Sequence, residues 1–75
     1  LASLIGDAFV SDTFTYNGSD NVFVLTDTAY KVTMVFIENG AYPDQVPIGN
    51  VTEVTISSGL LLSGQTVVIH YIKLE

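Results

Sequence analysis

His70 is the first residue to consider for chemistry, because histidine is the commonest general base near neutral pH and the chain has only one. It lies within the apolar segment TVVIHYI, residues 66–72, which predicts a strand position where the ring is packed or hydrogen-bonded as part of the structure. The sequence contains no cysteine, no Gly-x-Ser-x-Gly elbow and no His-Glu-x-x-His motif. We therefore predict no catalytic residue and no enzymatic activity.

The carboxylates are the second group of side chains that could react or bind metal. Glycosidase chemistry needs two of them held a defined distance apart across a cleft, and a 75-residue domain has little volume for a cleft. They are scattered, mostly at expected strand ends, as solvated turn residues are: Asp7, Asp12, Asp20, Asp27, Glu38, Asp44 and Glu53.

Metal binding is not expected from this composition. The segment NGSDN, residues 17–21, offers oxygen ligands but lacks the ordered spacing and the terminal glutamate of a calcium loop. A chain without cysteine and with a single histidine does not supply a zinc site. No metal ion and no cofactor are predicted.

The four tyrosines, Tyr16, Tyr30, Tyr42 and Tyr71, leave two interpretations open. Exposed aromatic rings act as stacking platforms for sugars in many β-sandwich binding modules, whereas buried tyrosines fill cores and interfaces. Core or interface filling is favoured for the set. Tyr42 precedes Pro43 in an expected loop and is the candidate ligand contact, with a bacterial surface glycan as the ligand.

The composition favours a chain that covers part of its surface with other copies. Hydrophobic residues make up 48% and charged residues only 13% of the sequence, and a domain this small usually needs a further stabiliser such as a disulfide, a metal or oligomerisation. The net charge is −6, with two Lys or Arg residues in all, which disfavours nucleic acid and anionic membranes as partners. No apolar run reaches the roughly 18 residues that predict a membrane span, so membrane insertion is not expected.

The chain is expected to contain one domain. Leu1, Leu4, Ile5 and Ala8 recur at helical spacing, so residues 1–8 are interpreted as the end of a preceding helix or as a linker. Residues 9–73 have the β-branched and aromatic character of a β module. Residues 74–75 are interpreted as the remnant of a cloning site.

Short strands separated by turn residues predict an all-β fold, a small antiparallel β-sandwich or barrel. Strands at 12–16 and 22–26 are expected to form a hairpin around Asn17-Gly18. Residues 26–30 are expected to connect to a strand at 31–38 that is buried on both faces, with Val35 and Ile37 on one face and Val32, Met34 and Phe36 on the other.

The second half of the sequence is also predicted to consist of short strands separated by turns and a loop. Asn39-Gly40 predicts a turn, and the two prolines in residues 43–50 predict a loop or an edge. Alternation predicts a strand at 51–57, with Val54 and Ile56 on one face, and a final strand at 66–72, with Val67, Ile69 and Tyr71 on one face.

The segments NVFVL, KVTMVFIENGAY and VTEVTISSGLLLSGQTVVIHYI, within residues 21–72, carry a family resemblance. Their pattern resembles that of small β modules in bacteriophage structural proteins, especially head and tail fibres and other virion appendages. The sequence departs from that pattern at Glu38 and Gln65. The matching residues are Phe23, Leu25, Val35, Phe36, Asn39, Gly40, Ser63, Gly64, Val67, Ile69 and Tyr71.

The resemblance implies a non-enzymatic virion component that forms homotrimers and either builds a shaft or presents a surface to the host cell. Leu60, Leu61 and Leu62 lie between two glycine-containing turns and are the candidate oligomer interface. The alternative hypothesis is a carbohydrate-binding or adhesin module of a bacterial cell-surface protein.

Overall fold

The computed structural model describes residues 9–74, and these form one antiparallel sheet of five strands. The predicted all-β class is confirmed. Two single turns of 3-10 helix, Pro43–Gln45 and Ser58–Leu60, interrupt the connections. The helix end or linker predicted at residues 1–8 lies outside the described residues. The strands are β1 (Phe9–Thr15), β2 (Val22–Ile37), β3 (Gly40–Ala41), β4 (Val51–Thr55) and β5 (Thr66–Lys73).

Strand β2 pairs with three of the other four strands. Its first half pairs with β4 and its second half with β5, and Ala29 at the junction lies opposite both Val51 and Lys73. The end of β2 forms a short hairpin with β3. Strand β1 pairs with the other edge of β5, so β5 lies between the first two strands of the chain.

The predicted hairpin between residues 12–16 and 22–26 is wrong. Strand β1 pairs with β5, with Thr13 opposite Val68, and the first half of β2 pairs with β4, with Phe23 opposite Val54. The Asn17-Gly18 turn does form, and Gly18 has the positive φ of 96° that glycine adopts easily. However, the residues after the turn pair with β4, with Val22 opposite Thr55, so the turn joins β1 to a part of β2 that has a different partner.

The predicted connector at 26–30 is also wrong, because these residues lie within the 16-residue strand β2. This strand contains two irregularities opposite β5, between Ala29 and Lys31 and between Val32 and Met34, and each places one extra residue on β2. A β-bulge of this kind bends the strand and shifts its side-chain alternation by one residue.

The bulges change which residues of β2 face the core, so the predicted assignment of Val32 to the face opposite Val35 is wrong. Val32 lies in the core on the same side as Val35 and Ile37, and only Met34 and Phe36 lie half-buried on the opposite side. By contrast, the alternation predicted for the other two strands is confirmed, because Val54 in β4 and Ile69 in β5 are buried, while Glu53 and His70 beside them are exposed.

The two departures from the phage-module pattern stabilise the turns around β5. Glu38 has a positive φ of 55°, and its carboxylate accepts a 2.6 Å hydrogen bond from the Thr66 N–H. The Gln65 side chain accepts one of 2.8 Å from the Leu62 N–H. The two side chains satisfy backbone donors in the turn before β5 and at its first residue, which would otherwise be left to solvent.

The sheet coils so that β1 approaches the first half of β2 through side chains. The rings of Phe14 and Phe23 are 5.2 Å apart, and the Asp12 carboxylate accepts a 2.8 Å hydrogen bond from the Thr26 N–H. Within the described residues no helix has the length and apolar character needed to cross a bilayer. The enclosed core consists of Tyr16, Phe23, Leu25, Ala29, Val32, Val35, Ile37, Val54, Ile56, Leu61, Val67, Ile69 and Tyr71.

Candidate binding groove

An open groove of about 460 Å³ lies between the bulged part of β2 and the loop 43–50. Tyr30 and Lys31 form one wall, and Pro47, Ile48 and Asn50 contribute to the other. This volume lies within the range of about 300–1,000 Å³ that is typical of small-molecule sites.

The first bulge of β2 determines how Tyr30 is presented. Ala29 is fully buried, whereas Tyr30 is 55% exposed and Lys31 is also exposed. Two consecutive outward side chains are possible because the extra residue breaks the strict alternation of a strand. The Asn50 side chain donates a 2.7 Å hydrogen bond to the Tyr30 carbonyl, which ties the loop to the bulge.

The opposite wall is held by one hydrogen bond within the loop, one hydrogen bond to Ser57, and two prolines. The Val46 N–H bonds to the Pro43 carbonyl (3.2 Å), and the Gln45 side chain accepts a 2.9 Å bond from the Ser57 N–H. Val46 packs against the core. Beyond it, Ile48 is 99% exposed and is followed by Gly49 at a positive φ of 86°. The loop is therefore anchored at its base and presents an apolar side chain at its tip.

The groove differs in charge from the molecule as a whole. The chain has a net charge of −6, yet the lining of the groove contains Lys31 and no aspartate or glutamate. An anionic ligand would therefore meet one cation and no carboxylate among the residues that line this groove.

The predicted ligand contact, Tyr42, does not line this groove. It is half-buried and packs against the core, and a Cβ atom added to Gly40 would lie only 3.1 Å from its ring. Tyr30 is the more exposed tyrosine, and sequence reasoning missed it as a site residue by placing it in a connector. No signal within the sequence indicated its exposure, because the bulge is recognised only from the register of β2 against β5.

The three leucines of the predicted interface lie in different environments. Leu60 is half-buried and packs against the core, Leu61 belongs to the core with 6% exposure, and Leu62 is 69% exposed. Leu62 is therefore the member of the set that is free to contact a second chain, and the interface remains a prediction.

The other residues considered for catalysis or metal binding contact neighbouring residues of the fold. His70 is exposed on β5, with its ring edge-on to Phe36 at 5.3 Å. In the NGSDN segment, the Asn17 side chain accepts bonds from the Ser19 and Asp20 N–H groups, both 2.9 Å. Residues 9–74 contain no cluster of three potential metal ligands.

A polar network joins β5, β1 and β2 at the edge of the core. The Tyr71 hydroxyl donates a 2.9 Å hydrogen bond to Asp12 and accepts a 3.3 Å bond from the Asp27 N–H. Burial of the ring, together with the bond to Asp12, raises the pKa of Tyr71 from 10.0 to about 12. The proton is therefore held more tightly than usual, as expected for a structural tie between strands.

The surface of β1, β5 and the second half of β2 that faces away from the core is here called the outer face. Val68 at its centre lies opposite Thr13 and Phe36. The described strand residues of this face include no aspartate or glutamate; Lys31 lies at one border, beside the groove, and the Glu38 carboxylate lies at the other, bonded to the Thr66 N–H. Its members are Phe9, Ser11, Thr13, Thr15, Met34, Phe36, Thr66, Val68, His70 and Ile72.

Comparison with known proteins gives no match to a family model, a curated protein or a solved structure. The groove and the outer face are therefore the features from which a function can be argued.

Proposed function

We propose that the chain is a non-enzymatic structural module of a bacteriophage virion appendage, of the head- or tail-fibre kind, that forms homotrimers and takes part in attachment to the host surface. The resemblance of residues 21–72 to such modules supports this assignment. Its location would then be the virion.

The outer face is the observation that carries the assembly part of the proposal. Copies of a chain with a net charge of −6 repel one another, and they can approach most easily where carboxylates are absent. The outer face meets this condition and offers Val68, Ile72 and Phe36 for burial. If three chains place this face toward a common axis, one part of the face on each chain contacts a different part on the next chain, and such a heterologous contact gives a closed trimer when the rotation closes.

Light scattering after gel filtration tests this assembly. The wild-type particle is expected to have three times the 8.1 kDa mass of the chain. Val68→Lys places a charge at the centre of the outer face and is expected to reduce the mass to that of one chain, because an unpaired charge is costly to bury. Circular dichroism should still show the β spectrum.

Val24→Lys is the matched control for Val68→Lys. Val24 is also a valine in a strand, but it is 65% exposed and lies in the first half of β2, outside the outer face. This variant is expected to keep the wild-type mass. A wild-type mass equal to one chain over a wide concentration range would contradict the trimer, and a trimeric Val68→Lys variant would exclude the outer face as the contact.

The groove favours a second candidate function, a carbohydrate-binding or adhesin module at a bacterial cell surface. An exposed tyrosine beside a lysine and an asparagine is a combination that stacks on a sugar ring and bonds to its polar groups. A monomeric chain that binds glycans through Tyr30 would favour this function over the virion module.

A further inference from the structure

The geometry points to the groove between Tyr30 and the loop 43–50 as a binding site for a saccharide that carries a carboxylate. This inference deepens the proposed attachment role and rests on it, because it names the class of host-surface molecule that the chain would contact. The groove, the presentation of Tyr30 and the charge of Lys31 support it.

Tyr30 provides the stacking surface. Its side chain is 55% exposed, although a tyrosine of this size loses favourable burial when it stays in water. Its backbone is held by the bulge and by the 2.7 Å bond from Asn50, so only the side chain has to be ordered on binding. A flat aromatic ring in this position fits the apolar face of a pyranose ring.

Lys31 determines the charge of the ligand. It is one of two cationic residues in the chain besides histidine, and it follows Tyr30 directly in the groove wall. An acidic group bound beside Lys31 gains an ion pair and meets no carboxylate among the lining residues; two acidic residues close to the lining in sequence, Asp44 and Glu53, lie outside it. A single lysine does not form the cation cluster that a nucleic acid requires, so a carboxylated sugar is the better fit.

The loop supplies the rest of a saccharide site. Asn50 is exposed, and its amide is oriented by the bond to the Tyr30 carbonyl, so its oxygen can accept from a sugar hydroxyl. Ile48 at the tip is 99% exposed and extends the apolar wall. The groove therefore combines one aromatic platform, one cation and one amide in a space of about 460 Å³.

Two-dimensional amide NMR with trigalacturonic acid tests the site, and the methyl ester of the same trisaccharide is the uncharged comparison ligand. Shift changes are expected in residues 30–32 and 46–50. The acid is expected to bind about fivefold more tightly than the ester, as a surface ion pair allows. Absence of shifts with the acid, shifts only outside these residues, or equal affinity for acid and ester would each overturn the inference.

Two variants assign the interactions. Lys31→Gln should remove the difference between acid and ester, and Tyr30→Ala should weaken binding of both by roughly tenfold because the stacking contact is lost. Tyr42→Phe is the control, since Tyr42 lies outside the groove, and it should bind both ligands as the wild type does. Wild-type affinity in Tyr30→Ala would overturn the inference.

The particle mass separates this inference from the proposed assembly. A trimer that binds neither ligand would contradict the saccharide site and leave the structural role intact. A monomer that binds the acid through Tyr30 and Lys31 would support the site and contradict the trimeric virion module.

Discussion

Leu61→Glu is expected to unfold the chain. Leu61 is 6% exposed and belongs to the core, and truncating a buried leucine to alanine already costs about 2–5 kcal/mol. Glutamate also brings a carboxylate into a core that contains no buried polar or charged residue among those described. Small domains have total stabilities near the lower end of about 5–15 kcal/mol, so circular dichroism should show loss of the β spectrum at 25 °C.

Leu62→Glu is the matched control, with the same chemical change at the next residue. Leu62 is 69% exposed, so the β spectrum and the urea midpoint of the isolated chain should change little. A folded Leu61→Glu variant would contradict the placement of Leu61 in the core. If Leu62→Glu keeps its spectrum but loses particle mass, the predicted leucine contact between copies lies at Leu62.

The free energy of unfolding is expected to fall between about pH 10 and pH 12, in part because of Tyr71. Its pKa is raised from 10.0 to about 12 by burial and by the hydrogen bond to Asp12. Below pH 10 the phenol is protonated in both the folded and the unfolded chain, so its contribution is constant. Above pH 10 the unfolded chain loses the proton first, which stabilises the unfolded state, and a two-unit difference corresponds to roughly 2–3 kcal/mol by pH 12.

Tyr71→Phe should remove this part of the pH dependence. At neutral pH the variant should be less stable by roughly 1–3 kcal/mol, because the Asp27 N–H and the Asp12 carboxylate each lose a partner. Its deficit should shrink as the pH approaches 12. Urea titrations at several pH values measure both effects.

Tyr30→Phe is the control for the alkaline titration, since Tyr30 is 55% exposed and outside the polar network. It should follow the wild-type curve. A Tyr71→Phe variant whose stability falls with pH as steeply as that of the wild type would contradict the assignment to Tyr71.

The sequence pattern was informative where strands are regular. Alternation in β5 assigns Val67, Ile69 and Tyr71 to the core, and the structure buries all of them. The prolines in residues 43–50 mark a loop, because proline cannot donate to a sheet ladder. These features depend on neighbours in sequence, so they can be recognised from the sequence alone.

The pairing of strands was not predictable in this way. Asn17-Gly18 has the composition of a hairpin turn, yet β1 pairs with β5, more than fifty residues later. The bulges of β2 were equally hidden, because an extra residue is recognised only from its position opposite β5. Both errors concern residues far apart in the sequence, because the partner strand determines the pairing and the register.

The candidate groove depends on the same geometry. Tyr30 and Asn50 are twenty residues apart and meet because Asn50 bonds to the bulge. Tyr42 satisfied the sequence criteria for an exposed loop tyrosine, but its ring packs over Gly40 and against the core. Residue type and local context therefore favoured Tyr42, whereas the fold exposes Tyr30 in the groove.

The position of β5 between β1 and β2 has a consequence for synthesis on the ribosome. Strand β1 leaves the exit tunnel first, but its ladder partner lies at residues 66–73. Until those residues emerge, β1 and the second half of β2 have unpaired edges, which are prone to pair with other chains. Folding that depends on such distant pairings is slow. A nascent chain in which β1 and β2 have emerged and β5 has not is therefore the state most vulnerable to aggregation.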